Sequence, residues 1–70
     1  MAANDAIVRK LEKVERELVK SGGIVENLKI LAAMIDHTPR QILDKNHIGY
    51  VKEGLQKATK KLADLANELD

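Results

Sequence analysis

The two histidines, His37 and His47, are the only side chains of this 70-residue chain that could act as bases near neutral pH. Nucleophilic or general-base catalysis needs such a base within hydrogen-bond reach of its partner. His37 follows Asp36 at the expected end of one helix, and His47 lies at the expected start of another. Imidazoles at helix ends ordinarily meet free backbone groups or water. The sequence therefore predicts no enzymatic activity and no catalytic residue.

Metal and cofactor sites need larger clusters than the chain offers. Asp44 and His47 are three residues apart and could share a helix face, but a metal site needs three or four ligands and no second pair of this kind occurs. The absence of Cys excludes a disulfide and a thiolate zinc site. Gly22 and Gly23 lack the Lys-Ser/Thr pair of a phosphate-binding loop. We expect no metal and no cofactor.

Charge is nearly balanced overall, with 12 Lys+Arg against 11 Asp+Glu, but residues 38–61 carry six bases against two acids. Such a stripe could touch phosphates. However, no base-reading Arg or Asn stands at the start of a recognition helix, and the single aromatic residue, Tyr50, provides no stacking platform. Nucleic acid is therefore not the expected partner, and a nucleic-acid-binding helical domain is the third functional hypothesis.

The chain has no sequence signature of a membrane or secreted protein. Its longest wholly apolar run, residues 30–35, is six residues long, whereas a bilayer span needs roughly 20. The N-terminus lacks the basic and then apolar pattern of a signal peptide. We expect an intracellular protein with no membrane partner.

Apolar residues recur at helical spacings of three and four along the whole chain, and no strand pattern occurs. This periodicity predicts a single all-α domain over residues 1–70, a small bundle of three to five helices. Asn4 is the expected N-cap of the first helix, and Thr38 with Gln41 is the expected capping box of the third. The predicted helices cover residues 5–20, 24–36, 39–45 and 47–69, the last of them either continuous or broken near residues 58–60.

The last segment has the most regular pattern. Seven apolar residues alternate at spacings of three and four over three heptads: Ile48, Val51, Leu55, Ala58, Leu62, Leu65 and Leu69. Such a pattern is typical of a helix that pairs with another helix, including a second copy of itself. Gly49 and Gly54 each cost about 1 kcal/mol inside a helix, which predicts that another backbone approaches closely there or that the helix is locally irregular.

Several short motifs follow one another in an order that resembles a known helical domain. They are Leu28-x-x-Leu31, Thr38, Leu43, His47-Ile48-Gly49, Leu55-Gln56-Lys57 and Leu62-Ala63-Asp64-Leu65-Ala66-Asn67-Glu68-Leu69. Their order resembles the N-terminal domain of transcription elongation factor S-II, which also occurs in elongin A, in a Mediator subunit and, more divergently, as the integrase-binding domain of LEDGF. Three features depart from that family: Gln56 replaces a basic residue, the connector before the last helix is short, and the aromatic-basic ending is absent.

The resemblance implies a non-catalytic nuclear scaffold that docks short disordered motifs of transcription or chromatin factors in a shallow apolar groove near interhelical loops. Apolar anchors would give affinity and charged rim residues would set register. The residues that it implies for partner binding are Val19, Ser21, Ile24, Leu55, Ala58 and Thr59, with Lys57 and Lys60 as rim charges.

Two hypotheses therefore precede the nucleic-acid one. The first is a protein–protein interaction module whose partners are short disordered peptide motifs. The second is a helical bundle that assembles as a homodimer, with a structural or regulatory role. The resemblance implies a nuclear location, and without it we expect a cytoplasmic one.

Overall fold

The chain folds into an extended helical hairpin in a computed structural model, which describes the backbone of residues 2–70 and the side-chain burial of residues 4–70. Its helices are α1 (Ala2–Val19), α2 (Ile24–His37) and α3 (Lys45–Glu68), and a single 3₁₀ turn, Arg40–Ile42, lies between α2 and α3. No strand occurs in residues 2–70, so the all-α prediction is confirmed. None of these helices is both long and apolar enough to cross a membrane.

The number of helices and some of their ends differ from the prediction. The segment predicted as a helix over residues 39–45 forms only the three-residue 3₁₀ turn, and α3 continues without a break through residues 58–60. In residues 2–70 the hairpin has three α-helices, or two if the bent rod of α1 and α2 is counted as one, so the predicted count of three to five was too high. α1 begins at Ala2, so Asn4 lies inside the helix and is not its cap.

The caps around the 3₁₀ turn explain why a third α-helix does not form. Thr38 ends α2 in an extended conformation, and its hydroxyl donates a hydrogen bond to the Met34 carbonyl. Asp44 is the N-cap of α3, and its Oδ1 accepts a hydrogen bond from the Asn46 N–H at 2.9 Å. The predicted capping box at Thr38 was therefore wrong, and Asp44 with His47 forms the real one. The few residues left between these caps cannot extend into an α-helix of several turns.

Two glycines turn the chain between α1 and α2. Gly22 has a φ of 73°, the left-handed region that residues with a side chain rarely adopt. Its N–H donates to Glu26 Oε2 at 3.1 Å, and its carbonyl accepts from Asn27 Nδ2 at 3.2 Å. A Cβ on Gly23 would lie 2.8 Å from the Lys20 carbonyl oxygen. The predicted break between a helix over residues 5–20 and one over residues 24–36 is confirmed, and α1 and α2 form one long rod that bends at the glycines.

We expect Ala at either glycine to destabilise the fold. Gly22→Ala should lower the free energy of unfolding by about 1 kcal/mol, because of its positive φ. Gly23→Ala should cost more, since its Cβ would overlap a backbone oxygen that cannot move independently. Gly49→Ala is the matched control, because a Cβ there meets nothing within 4 Å. Urea denaturation of the three variants measures their free energies of unfolding and so gives their order of stability. A Gly23→Ala variant as stable as the wild type would contradict this account of the turn.

α3 lies antiparallel to the bent rod formed by α1 and α2. Leu31 of α2 packs against Gly54 of α3, where a Cβ would lie 3.1 Å from Leu31 Cδ2. Further along, Lys13 Nζ of α1 lies 3.2 Å from Glu68 Oε1 of α3. Residue numbers thus rise along the rod as they fall along α3. The first turns of α1, residues 2–9, extend past the C-terminal end of α3.

The hairpin buries few large side chains. Among the described residues, the buried large apolar ones are Ile24 and Leu31, which are 5% and 9% exposed. The molecule measures 58 × 19 × 13 Å and has a radius of gyration of 16.4 Å, whereas a compact 70-residue domain has one of about 11 Å. The fold is therefore one layer of helices whose broad sides both lie open.

Candidate protein-binding surface

The heptad pattern of α3 divides into two rows. One row faces the rod: Val51, Ala58 and Leu65 are half-buried there, as is Gly54. The other row lies beside it and is exposed, with exposed fractions of 44–69% for its four members. The exposed row consists of Ile48, Leu55, Leu62 and Leu69, each seven residues from the next. The hairpin thus uses half of the apolar pattern of α3 and leaves the other half open.

α1 meets α3 through its charged side. Lys13 pairs with Glu68, and Lys10, Glu17 and Lys20 line the clefts between the two helices. Since a helix turns once every 3.6 residues, the apolar stripe of α1 lies about a quarter turn from this charged side. This stripe consists of Ile7, Leu11, Val14 and Leu18.

The stripe of α1 and the exposed row of α3 lie on the same side of the hairpin. On each helix, the apolar row is offset around the helix axis from the residues that face the neighbouring helix, and the offset has the direction in which residue numbers increase. Because the two helices are antiparallel, offsets in this direction place both rows on the same side of the hairpin. Val25, Ala32 and Ile35 continue this side along α2, and Ile35 shares a groove with Leu55. We call these stripes together the apolar face. It consists of Ile7, Leu11, Val14, Leu18, Val25, Ala32, Ile35, Ile48, Leu55, Leu62 and Leu69.

The second half of α3 carries no charge on the apolar face, although a third of all residues in the chain are charged. The residues on this side between positions 55 and 69 are Leu55, Gln56, Thr59, Leu62, Ala63, Ala66 and Leu69. The Thr59 hydroxyl donates to the Leu55 carbonyl at 2.8 Å, so its hydrogen-bonding need is met within the helix. The small side chains of Ala63 and Ala66 would allow another helix to approach closely.

The opposite side of the hairpin carries charged residues beside apolar ones. Lys57 Nζ lies 3.2 Å from Glu53 Oε1 there, and Lys61 lines the same cleft between α2 and α3. Ile30 and Tyr50 are exposed on that side and line this cleft together with Leu28 and Met34. Charged side chains interrupt the apolar surface of the cleft, whereas the row on the other side of α3 is uncharged in its second half, and a continuous apolar face marks an interaction site.

The apolar face includes a wide, shallow groove of about 820 Å³ where α3 begins. Ile35 of α2 and Leu43 of the connecting segment form one wall, and Val51, Leu55 and Thr59 of α3 form the other. Leu43 packs there because the 3₁₀ turn brings the connection back over the start of α3. Leu43 is not among the residues predicted for binding, because no local sequence pattern shows that a residue of the connection packs beside α3.

The residues that the family resemblance implied for partner binding lie in several places. Leu55 and Thr59 line the groove, whereas Lys57 and Ala58 line the cleft on the opposite side. Ile24 is buried inside the hairpin. The remaining three, Val19, Ser21 and Lys60, are exposed, the first two near the bend between α1 and α2 and the last on α3. The structure therefore brings Leu55 and Thr59 together in the groove, and Ile24, Lys57 and Ala58 together in the opposite cleft.

The two histidines lie at helix ends, as predicted. His37 is the last residue of α2. His47 Nδ1 lies 3.0 Å from Asp44 Oδ1 and 3.2 Å from the Asp44 N–H. Nδ1 donates to the carboxylate when it carries a proton and accepts from the N–H when it does not. No group of three or more His, Asp or Glu side chains in the described part of the chain could hold a metal ion.

The Asp44 cap gives the fold a predictable dependence on acid pH. The hydrogen bond from His47 holds the pKa of the Asp44 carboxyl below its ordinary value of 3.8, and the backbone N–H groups of Asn46 and His47 act in the same direction. Stability from this carboxylate is therefore complete above pH 3.8 and falls as the pH drops through the lower folded pKa. Asp44→Asn should keep the cap and remove this part of the acid dependence, as measured by thermal unfolding against pH. If the thermal stability of the variant falls at acid pH as steeply as that of the wild type, the Asp44 carboxylate does not contribute to this fall.

Comparisons with protein-family models, with curated proteins and with solved structures found no match to this chain. The distinctive feature of the surface is an apolar face along one side of a single helical layer.

Proposed function

We propose that the protein is a non-catalytic protein–protein interaction module that covers its apolar face with another polypeptide. The observation that supports this proposal is the exposed row of α3, in which four large apolar side chains repeat every seven residues on the surface. Solvent-exposed positions of a helix are ordinarily polar, and a heptad row of this kind is the pattern of a helix that packs against helices.

The shape of the surface bears on the kind of partner. The apolar face is long and flat, with one groove at the start of α3, so an amphipathic helix or helical layer fits it better than a compact ligand. α3 is continuous at Ala58 and Thr59, where the family resemblance places an interhelical loop beside the binding groove. A helical partner along the whole face is therefore favoured over a short motif held at that loop.

A docking site for short disordered motifs is a second candidate function. The groove lined by Leu43, Leu55 and Thr59 is the part of the surface that supports it, because it is concave and almost entirely apolar. Lys45 and Lys52 lie at its edge and could attract acidic motifs. A nuclear role in transcription belongs to this candidate and depends on the resemblance to the elongation-factor domain.

Chemical-shift mapping tests the interaction function. The isotope-labelled chain would be compared at low and high concentration and with a panel of acidic-aromatic peptides. We expect that either the higher concentration of the chain itself or at least one peptide shifts the signals of Leu55 and Leu62, while the signals of Glu53 and Lys57 on the opposite side stay in place. If no polypeptide shifts the apolar face, or if a measured enzymatic turnover depends on His37 or His47, the proposal is wrong.

A further inference from the structure

We infer that the partner on the apolar face is a second copy of this chain, arranged antiparallel, so that two hairpins form a four-helix bundle. This inference rests on the proposed interaction function and names the partner for it. Three features of the chain support it: the area left exposed, the charge distribution on the face, and the exposed end of α1.

The exposed area matches what a homodimer would bury. The chain exposes 5821 Å², whereas a compact folded protein of its mass exposes about 4,400 Å². The difference is roughly 1,400 Å² per chain, and obligate homodimers bury about 1,000 to 2,500 Å² on each partner. A short disordered peptide in the groove would cover only part of this surplus. A second hairpin of the same length covers the whole of it.

The charge distribution favours an identical partner in the antiparallel orientation. In a two-fold dimer the same patch lies on both sides of the interface, and a residue close to the axis faces its own copy, so a charge there would meet a like charge. The second half of α3 is neutral on this side, and Lys45 and Lys52 border the apolar face only near the start of α3. An antiparallel arrangement keeps these lysines at opposite ends of the dimer, whereas a parallel one would bring them together.

The end of α1 gives the third argument. Residues 2–9 extend past the last turn of α3, and Ile7 there is 58% exposed. In the antiparallel dimer this end lies over the second hairpin at the end where its connecting segment and Leu43 lie. The dimer thus covers Ile7 together with the rest of the apolar face.

Sedimentation equilibrium tests the inference on the full chain. Between about 5 and about 500 µM, we expect the wild type to sediment at twice the chain mass of 7.8 kDa. The double variant Leu55→Gln/Leu62→Gln should raise the dissociation constant at least about 100-fold, because it removes four apolar side chains from the interface of each dimer. The matched control Ile30→Gln/Tyr50→Gln changes two exposed residues on the charged side and should remain dimeric.

Each outcome decides the inference. A wild type that sediments as a monomer at about 500 µM, or as an assembly larger than a dimer, overturns it, as does a control that dissociates as readily as the double variant. The wild-type mass decides this even where the double variant fails to fold, which circular dichroism would show. If the chain is a monomer and a peptide still shifts the NMR signals of its apolar face, the interaction function stands and self-association is excluded. If the chain is a monomer and no polypeptide shifts these signals, the interaction function and the dimer are both excluded.

Discussion

Replacing Leu31 with Ala is expected to lower the free energy of unfolding by about 2 to 4 kcal/mol, the usual loss when a buried Leu is cut to Ala. Leu31 is one of the two buried large apolar side chains among the described residues, and it packs on Gly54 at the centre of the contact between α2 and α3. A protein of this size has only about 4 to 10 kcal/mol in total. The variant should therefore be largely unfolded at 37 °C or close to it.

Ile30→Ala is the matched control for this prediction. Ile30 precedes Leu31 in α2 but is 57% exposed on the charged side, so its loss should cost less than about 1 kcal/mol. Urea denaturation of both variants at one protein concentration gives the comparison. Equal losses for the two would mean that the hairpin contact does not centre on Leu31.

Replacing Gly54 with Leu is expected to lower the free energy of unfolding by about 2 kcal/mol, because the new side chain has no room between the helices. A Cβ at position 54 already lies 3.1 and 3.3 Å from the two methyl carbons of Leu31. The larger side chain must push α2 away from α3 or force Leu31 out of its rotamer. This cost exceeds the gain of about 1 kcal/mol from removing a glycine inside a helix.

The same replacement at Gly49 should have the opposite sign. Nothing lies within 4 Å of a Cβ there, so Gly49→Leu gains the helix propensity, up to about 1 kcal/mol, without a clash. Thermal unfolding of the pair therefore separates the packing of α3 from its propensity. A stabilised Gly54→Leu variant would show that α2 and α3 are further apart than described.

The sequence predicted the helical class and the approximate extent of the three long helices because both depend on local signals. Apolar residues at spacings of three and four mark α1, α2 and α3, and Gly22 and Gly23 mark the bend. The cost of Gly54 also indicated a close approach, although the group that approaches it is the Leu31 side chain and not a backbone. Gly49 shows no close neighbour, so the same argument failed there.

The connection between α2 and α3 could not be predicted from local signals. Thr38 and Asp44 are both good N-cap residues, and the sequence alone does not rank them. The structure uses Asp44 because its carboxylate reaches the free N–H groups of α3, while Thr38 instead ends α2. With both ends capped, the third helix predicted at residues 39–45 has too few residues to form.

The sequence showed the apolar pattern of the candidate surface, but it did not show which of these residues are exposed in the fold. The alternation of Ile48, Val51 and Leu55 shows that α3 has apolar residues for more than one neighbour. Which of them face the same chain depends on the contact of Leu31 with Gly54, and that contact joins residues distant in sequence. The pattern could not show that Val51 faces α2 while Ile48 and Leu55 remain exposed.

Methyl NMR with a soluble paramagnetic probe tests most directly whether protein covers the apolar face in solution. Leu55, Leu62 and Ile30 have similar exposed fractions in the single chain, 50%, 44% and 57%, so a lone hairpin would let the probe reach all three. The account predicts that at about 500 µM the probe broadens the Ile30 methyl signals and leaves those of Leu55 and Leu62 sharp. Equal broadening of all three would contradict it.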